Sequence, residues 1–280
     1  MNLLFVVDKP IFVSSNRYMN VIKRKYGTKK VGFSGTLDPF ATGCLIVATG
    51  QYTKLFQYLK KTPKTYRATL WLGAESASLD IENIRSIREV PRSDEQTLCT
   101  IFASLEGELE YLPPKYSAKK IDGERAYAIM RSGGDAEMKT VRSTIHELKL
   151  LHYRHPFVSF EATVSEGTYI RSLGAMIAER LGVPGTLSSL RRVREGKFMI
   201  QNEKPLNPLD YLTPPRNRYF GDPTFLELGK KLQKRFFERQ ENGLYLVETD
   251  NFFSILEFND EGITYRLNRI EKFASQDKET

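Results

Sequence analysis

Val31-Gly32-Phe33-Ser34-Gly35-Thr36-Leu37-Asp38-Pro39 sets one carboxylate at the end of a turn rich in glycine and hydroxyl side chains. Gly32 and Gly35 allow backbone conformations that other residues resist and a close approach to a ligand. Pro39 has no N–H and disfavours helix at Asp38, so the acid is expected on a loop between regular elements. Two readings are open at this point. A carboxylate held in this way is a candidate nucleophile; equally, Asp-Pro is an ordinary turn and Asp38 a local cap.

The flanking chain alternates between short strands and helices. Leu3–Val7 reads as a buried strand, and Ser14 or Ser15 caps a helix to about Tyr26 with Tyr18, Val21 and Ile22 on one face. Gly43–Thr49 is an apolar strand, Thr53–Leu59 a helical turn or two, and Tyr66–Leu72 a strand ending at Gly73. Ser93 caps a helix through about Leu105, Gly107–Leu112 returns as a strand, and Gly123–Met130 reads as helical. Val141–Tyr153 and Val158–Val164 form a hairpin, and a helix from Tyr169 to Leu181 is closed by Gly182 and Pro184. Four prolines (Pro205, Pro208, Pro214, Pro215) mark a linker. Beyond it, Gly243–Glu248, Phe252–Phe258 and Gly262–Leu267 are three short strands. With no regular βα alternation, the expected class is α+β: a catalytic domain over 1–212 and a small β-rich module over 213–280.

The 280 residues can bury a full core. Leu3–Val7 is too short for a signal peptide and nothing reads as membrane-spanning, so a cytoplasmic protein is expected. Cys44 and Cys99 suggest thiols in a reducing compartment. His146, His152 and His155 lack metal-ligand spacing, so no metal is expected. The formal charge of +8 points to a polyanionic partner. Residues 213–280 hold 11 basic and 12 acidic side chains, against 31 and 22 in residues 1–212, so the whole basic excess lies in the larger part.

Four further segments bear on Asp38. Lys64-Thr65-Tyr66 opens a strand with an aromatic that either packs in the core or stacks on a flat base. Pro113 to Tyr127 mixes a diproline, lysines, Arg125 and tyrosines, a pattern open to a solvated surface or to RNA contact. In Gly167-Thr168-Tyr169-Ile170-Arg171-Ser172-Leu173, Arg171 falls in the first turn of a helix, where the dipole disfavours a cation. An anionic partner explains it, and Asp38 is the candidate, held through a two-pronged guanidinium contact. Leu190-Arg191-Arg192-Val193-Arg194 is a basic strand-like segment able to face phosphates.

Together and in this order, the five segments resemble the TruB family of tRNA pseudouridine synthases. The family's Gly-His-x-Gly-Thr-Leu-Asp-Pro corresponds to Gly32–Pro39, its Lys-x-Tyr to Lys64–Tyr66, and its Pro-Pro-x-Tyr-Ser-Ala-x-Lys to Pro113–Lys120. Gly-Thr-Tyr-Ile-Arg-Ser is intact at Gly167–Ser172, and Leu-Arg-Arg follows at Leu190. The resemblance covers roughly residues 3–200. It implies a mixed, largely antiparallel sheet of pseudouridine synthase type and isomerisation of the T-loop uridine, position 55, of elongator tRNA. Asp38 would be the nucleophile, Arg171 its orienting partner, and Tyr66 the residue stacked on uracil and assisting proton removal from carbon 5. Tyr169 and Leu190 would complete the base pocket, with Phe33, Lys9, Lys119, Arg125 and Arg191 as further substrate contacts. No cofactor or metal is implied. The expected partner is the T-arm of tRNA, bound by a monomer that needs no other protein, and the tail would be a PUA-like or degenerate module.

Two positions depart from the family pattern. Phe33 replaces a histidine, and Phe12 replaces the glycine of Lys-Pro-x-Gly. Phe33 keeps a flat face but cannot hydrogen-bond; the two rings are expected to pack together at the loop mouth. Two other classes stand beside the isomerase: a silent tRNA-binding factor, and a guide-RNA-dependent relative inside a larger complex. The set Asp38, Tyr66 and Arg171 argues against the first, and the short N-terminus and compact tail against the second.

Overall fold

Two apolar runs form one edge of the main sheet in the computed structural model, which describes residues 1–117, 138–273 and the backbone of 120–121 and 124–125. Strand β1 (Leu4–Lys9) pairs antiparallel with β3 (Thr42–Thr49). Both are covered on both faces. Phe5, Val7, Leu45 and Val47 enter one apolar core, while Leu4, Val6, Cys44 and Ile46 enter another, so neither run alternates with water. The segment before Asp38 is more regular than its glycines suggest: Val31–Ser34 is a strand, β2, paired to β3, and the turn starts only at Gly35.

Helix α1 (Ser15–Lys25) begins where expected, with the Ser14 side chain accepting the Arg17 N–H at 3.2 Å. Its buried face is Ser15, Met19 and Ile22, with Tyr18 half-buried. Val21 does not join it and is 46 % exposed, because it sits a turn's third away from the 15–19–22 stripe. After a 3₁₀ segment (Gly50–Tyr58) come β4 (Lys64–Leu72) and a ribbon of β5 (Ala74–Ser76) with β6 (Ile84–Ile87). Helix α2 (Glu95–Ala103) is capped by Asp94, not Ser93, through the Thr97 N–H at 2.7 Å. Then follow β7 (Gly107–Tyr111) and the short pair β8 (Lys120–Ile121) and β9 (Glu124–Arg125). The helix expected over Gly123–Met130 lies outside the described residues apart from Glu124–Arg125, which is strand.

The hairpin β10 (Val141–Arg154) and β11 (Phe157–Val164) leads to α3 (Ile170–Arg180), β12 (Gly185–Glu195) and β13 (Phe198–Met199). Among the described residues, nine strands form one sheet in the order β1-β3-β12-β4-β11-β10-β7, with β2 on β3 and β13 on β12. Its pairings are antiparallel except where β12 runs parallel to β3. That is the mixed, largely antiparallel α+β sheet expected. The parallel join needs a glycine, since a Cβ at Gly43 (φ +103°) would sit 2.3 Å from the Arg192 carbonyl oxygen. Helices α2 and α3 cover one face through Leu98, Phe102, Leu173 and Ile177. On the other face lies the antiparallel sheet β14 (Gly243–Glu248), β15 (Phe252–Asn259) and β16 (Gly262–Glu271), whose Leu246, Phe253 and Ile255 pack with Leu4, Val6 and Ile46. No helix among the described residues is long and apolar enough to cross a membrane.

Candidate active site

The loop that carries Asp38 is pinned on both sides of the carboxylate. The buried Ser15 hydroxyl accepts the Leu37 N–H and donates to the Leu37 carbonyl, each at 3.1 Å. Lys9 is fully buried, and its ammonium donates to the carbonyls of Pro10 (2.9 Å), Val13 (2.6 Å) and Pro39 (3.3 Å). Burial lowers the Lys9 ammonium to about 8, against the pull of the nearby Asp38 charge. Lys9 therefore fixes the chain on the far side of Asp38 rather than presenting a cation to solvent.

Arg171 stands at the start of α3, and the dipole penalty is met by two carboxylates. Its Nη2 lies 2.9 Å from Asp38 Oδ2 and its Nη1 3.1 Å from Asp80 Oδ2. It also donates to the Ser78 carbonyl at 2.7 Å and the Tyr116 carbonyl at 2.8 Å. Asp80 is fixed in turn by the Ser78 hydroxyl (2.6 Å) and the Glu82 N–H (3.0 Å). Arg171 and Asp80 are buried, whereas the Asp38 side chain keeps 33 % of its surface, on the side of a cavity. The guanidinium thus spans a buried acid and a reachable one and sets the direction of the second.

The Asp38 carboxyl is pushed above its ordinary value by burial, with the Asp80 charge adding and Arg171 opposing. A nucleophile must be ionised. The acid limb of any Asp38-dependent turnover is therefore expected above the usual carboxylate range, activity rising with pH through it. A pH profile of kcat/KM under saturating and limiting substrate checks this; a limb at the ordinary aspartate value would contradict it.

The cavity, about 360 Å³, is lined by Asp38, Tyr66, Tyr169, Arg171, Leu190 and Arg192 among others. Strand register explains the grouping. Arg192 pairs with Tyr66 and Leu190 with Ala68, so Tyr66, Leu190 and Arg192 share one sheet face, while Arg191, opposite Arg67, takes the other. Arg192 is buried and donates to the carbonyls of Cys44 (2.8 Å) and Gly35 (2.9 Å). Burial acts against its charge, but Tyr66 and Glu195 outweigh this and hold it protonated. Glu195 is also fully buried, its oxygens 3.2 Å from Arg192 Nη2 and 3.1 Å from Lys64 Nζ. These are charge–charge contacts lacking the donor angle of a hydrogen bond. At the helix start, the Tyr169 N–H donates to the Tyr111 hydroxyl at 2.9 Å, and burial raises its phenol against a contact with Ser117.

Gly35 rests on this ion cluster. Its φ is +68°, and a Cβ there would lie 3.0 Å from Glu195 Oε1 and 3.1 Å from Arg192 Nη1. Gly35→Ala is expected to lower stability by about 1–2 kcal/mol from backbone strain alone. Turnover should fall with it as the Asp38 loop shifts. Thermal melts alongside kcat check this, and an unchanged melt would remove the strain argument.

The sequence-selected residues separate clearly. Asp38, Tyr66, Tyr169, Arg171 and Leu190 meet in one cavity. Lys9 lies beneath the loop. Arg191 turns to the surface, where both of its terminal nitrogens pair with Asp8 at 3.0 and 2.7 Å. Phe33 is half-buried on β2 against the main core, and Phe12 is 61 % exposed with φ +59°, so the expected contact between the two rings is not formed. Lys119 and the Arg125 side chain lie outside the described residues. Sequence reasoning missed Asp80, Arg192 and Glu195. Strand alternation from Leu190 could have found Arg192; nothing around Ser78-Leu79-Asp80 signals Asp80.

Comparison with known proteins agrees with this layout. The family model described as TruB family pseudouridylate synthase (N terminal domain) matches residues 23–170. The tRNA pseudouridine synthase B of a Sulfurovum species is 63% identical over 273 residues, covering 98% of this chain and 99% of its own. That of a Nitratiruptor species is 52% identical, over 97% and 99%. Among solved structures, a Cbf5-Nop10-Gar1 complex superposes with TM-score 0.64 at 20% identity, covering 98% of this chain and 86% of that one. An archaeal box H/ACA sRNP Nop10-Cbf5 complex gives 0.61 at 19%, covering 98% and 87%. At such identities the likeness is one of fold. With an aspartate and an arginine paired over a cavity where the matching motifs converge, the chain belongs to the TruB family of pseudouridylate synthases.

Proposed function

We propose that this chain converts the T-loop uridine of tRNA, position 55, to pseudouridine, with Asp38 as the nucleophile. The observation that carries the chemistry is Asp38 itself, aimed by Arg171 at 2.9 Å and partly open to a cavity walled by Tyr66, Tyr169 and Leu190. The flipped uridine enters that cavity, a cost of a few kcal/mol that stacking and phosphate contacts offset. Asp38 attacks the nucleoside, the bond from ribose carbon 1′ to N1 breaks, and the freed uracil turns. Carbon 1′ then bonds to carbon 5; carbon 5 loses its proton to water and N1 gains one. Reactant and product are isomers, so the step balances with no redox partner or group donor.

Tyr66 offers its ring to the uracil, because its hydroxyl end is turned to the buried Arg192 charge. Tyr169 and Leu190 close the base pocket. The tRNA T-arm is the proposed partner, met by the basic part over 1–212, with the 213–280 module as a second unit. The protein acts in this reading as a cytoplasmic monomer without an obligatory protein partner, in keeping with relatives that match over nearly their full length. Incubation with tRNA tritiated on uridine carbon 5 tests the proposal. Release of one label per tRNA, with pseudouridine mapped to the T-loop, is expected; retention of all label would end it.

A further inference from the structure

A second cavity, about 370 Å³, shares no lining residue with the catalytic one; its walls include Phe225, Lys231, Arg235 and Phe236. Phe225 and Phe236 are each 38 % exposed, and both rings carry a cation. Lys230 Nζ lies 5.1 Å from the Phe225 centroid, and the Arg235 guanidinium 4.9 Å from that of Phe236. Beside them Phe220 is 58 % exposed, with Arg218 at 5.3 Å. The supporting backbone is held firmly. The Phe220 N–H donates to the Phe236 carbonyl at 2.8 Å, and the Tyr265 hydroxyl bonds the Phe225 and Lys230 carbonyls at 3.2 and 3.0 Å.

The charge of this region is masked by its surroundings. Residues 214–239 carry seven basic and three acidic side chains, and residues 240–273 three and seven, so the near-neutral tail is divided into a basic and an acidic part. Arg218, Lys230, Lys231 and Arg235 make no ion pair among the described residues. The one acid in the cavity wall, Asp222, is turned to its own turn by the Thr224 N–H (2.9 Å) and hydroxyl.

We propose that this cavity takes an unpaired nucleotide of the tRNA substrate, the base stacking on Phe225 or Phe236 and the phosphate meeting Lys231 and Arg235. The proposal rests on the tRNA reading above. Exposed rings interleaved with unpaired cations suit a ligand that is both flat and anionic. An acidic peptide would use the cations and leave both ring faces idle, so RNA is the better match.

The test compares KM for whole tRNA with KM for a minimal T-arm stem-loop. The double variant Lys231→Glu/Arg235→Glu alters two exposed side chains, and Phe225→Ala/Phe236→Ala removes the rings. For each, the KM for whole tRNA is expected to rise about tenfold, the scale of one lost stacking contact, with kcat unchanged and the stem-loop KM unmoved. Native KM for both substrates, as an acidic-peptide site would give, overturns the proposal, and so does an equal rise for both. If the native protein turns over neither RNA, the isomerase reading fails on its own. The cavity is then judged by binding of labelled tRNA, where tenfold weaker binding by both variants supports it and native binding overturns it.

Discussion

Asp38→Asn is expected to lower turnover at least about 10⁴-fold, the scale of removing a covalent nucleophile, while the protein stays folded and binds tRNA. The amide keeps the shape of the carboxylate but has no charge with which to attack the nucleoside. The loop does not depend on that charge, because Ser15 fixes Leu37 and Lys9 fixes Pro39. Arg171 would keep Asp80 and the carbonyls of Ser78 and Tyr116. Stability supplies a second readout. The Asp38 carboxyl is raised in the fold, so the folded state favours its protonated form. Its ionisation works against folding progressively as pH climbs from the unfolded value through the folded one, and that cost is fully present above both. Asn removes it, so the thermal midpoint of Asp38→Asn at neutral pH should equal or exceed that of the native protein. Tritium release by the variant at the native rate would exclude Asp38 as the nucleophile.

How much of this could be read without coordinates depends on where the controlling interaction lies along the chain. Strands β1 and β3 were plain because burial on both faces leaves an unbroken apolar run. Helix α3 was plain because Gly167 and Gly182 bound it, and Arg171 stood out because a cation in a first helical turn needs an anion. That anion was correctly sought at Asp38, yet the second one, Asp80, was invisible. It comes from a short ribbon, beside Leu79 in a left-handed conformation (φ +60°) that no leucine advertises. Lys9 and Arg191 were chosen as substrate contacts on charge alone, and charge does not reveal direction. One is turned inward to three carbonyls and the other across the sheet to Asp8. Arg192 was legible in principle, since period-two alternation from Leu190 puts it on the cavity face. Phe12 and Phe33 failed to meet because the φ of +59° at Phe12 is set by its loop, which ring chemistry does not foretell.

Arg171→Ala carries the other large effect, and it should strike activity and stability together. Arg171 is 4 % exposed and lies between two carboxylates, so its loss strands buried negative charge. Breaking a buried ion pair from one side costs about 3–5 kcal/mol, a drop in melting temperature on the order of 10 °C. Turnover should fall roughly 10²–10⁴-fold, since Asp38 loses the contact that directs it. A purely structural role predicts the melting change without the next one. Arg171 holds the Asp38 carboxyl down against burial and Asp80, so without it the acid limb of the pH profile must move to higher pH. Arg171→Lys separates charge from shape: a lysine keeps the cation but cannot fork to Asp38 and Asp80 at once, so it should recover stability better than rate. Adding Asp80→Asn to Arg171→Ala removes one stranded charge and should restore part of the melting temperature while leaving turnover low, a coupling that a double-mutant cycle reads directly. Native turnover in Arg171→Ala, or an acid limb that does not move, would show that the guanidinium does not orient Asp38.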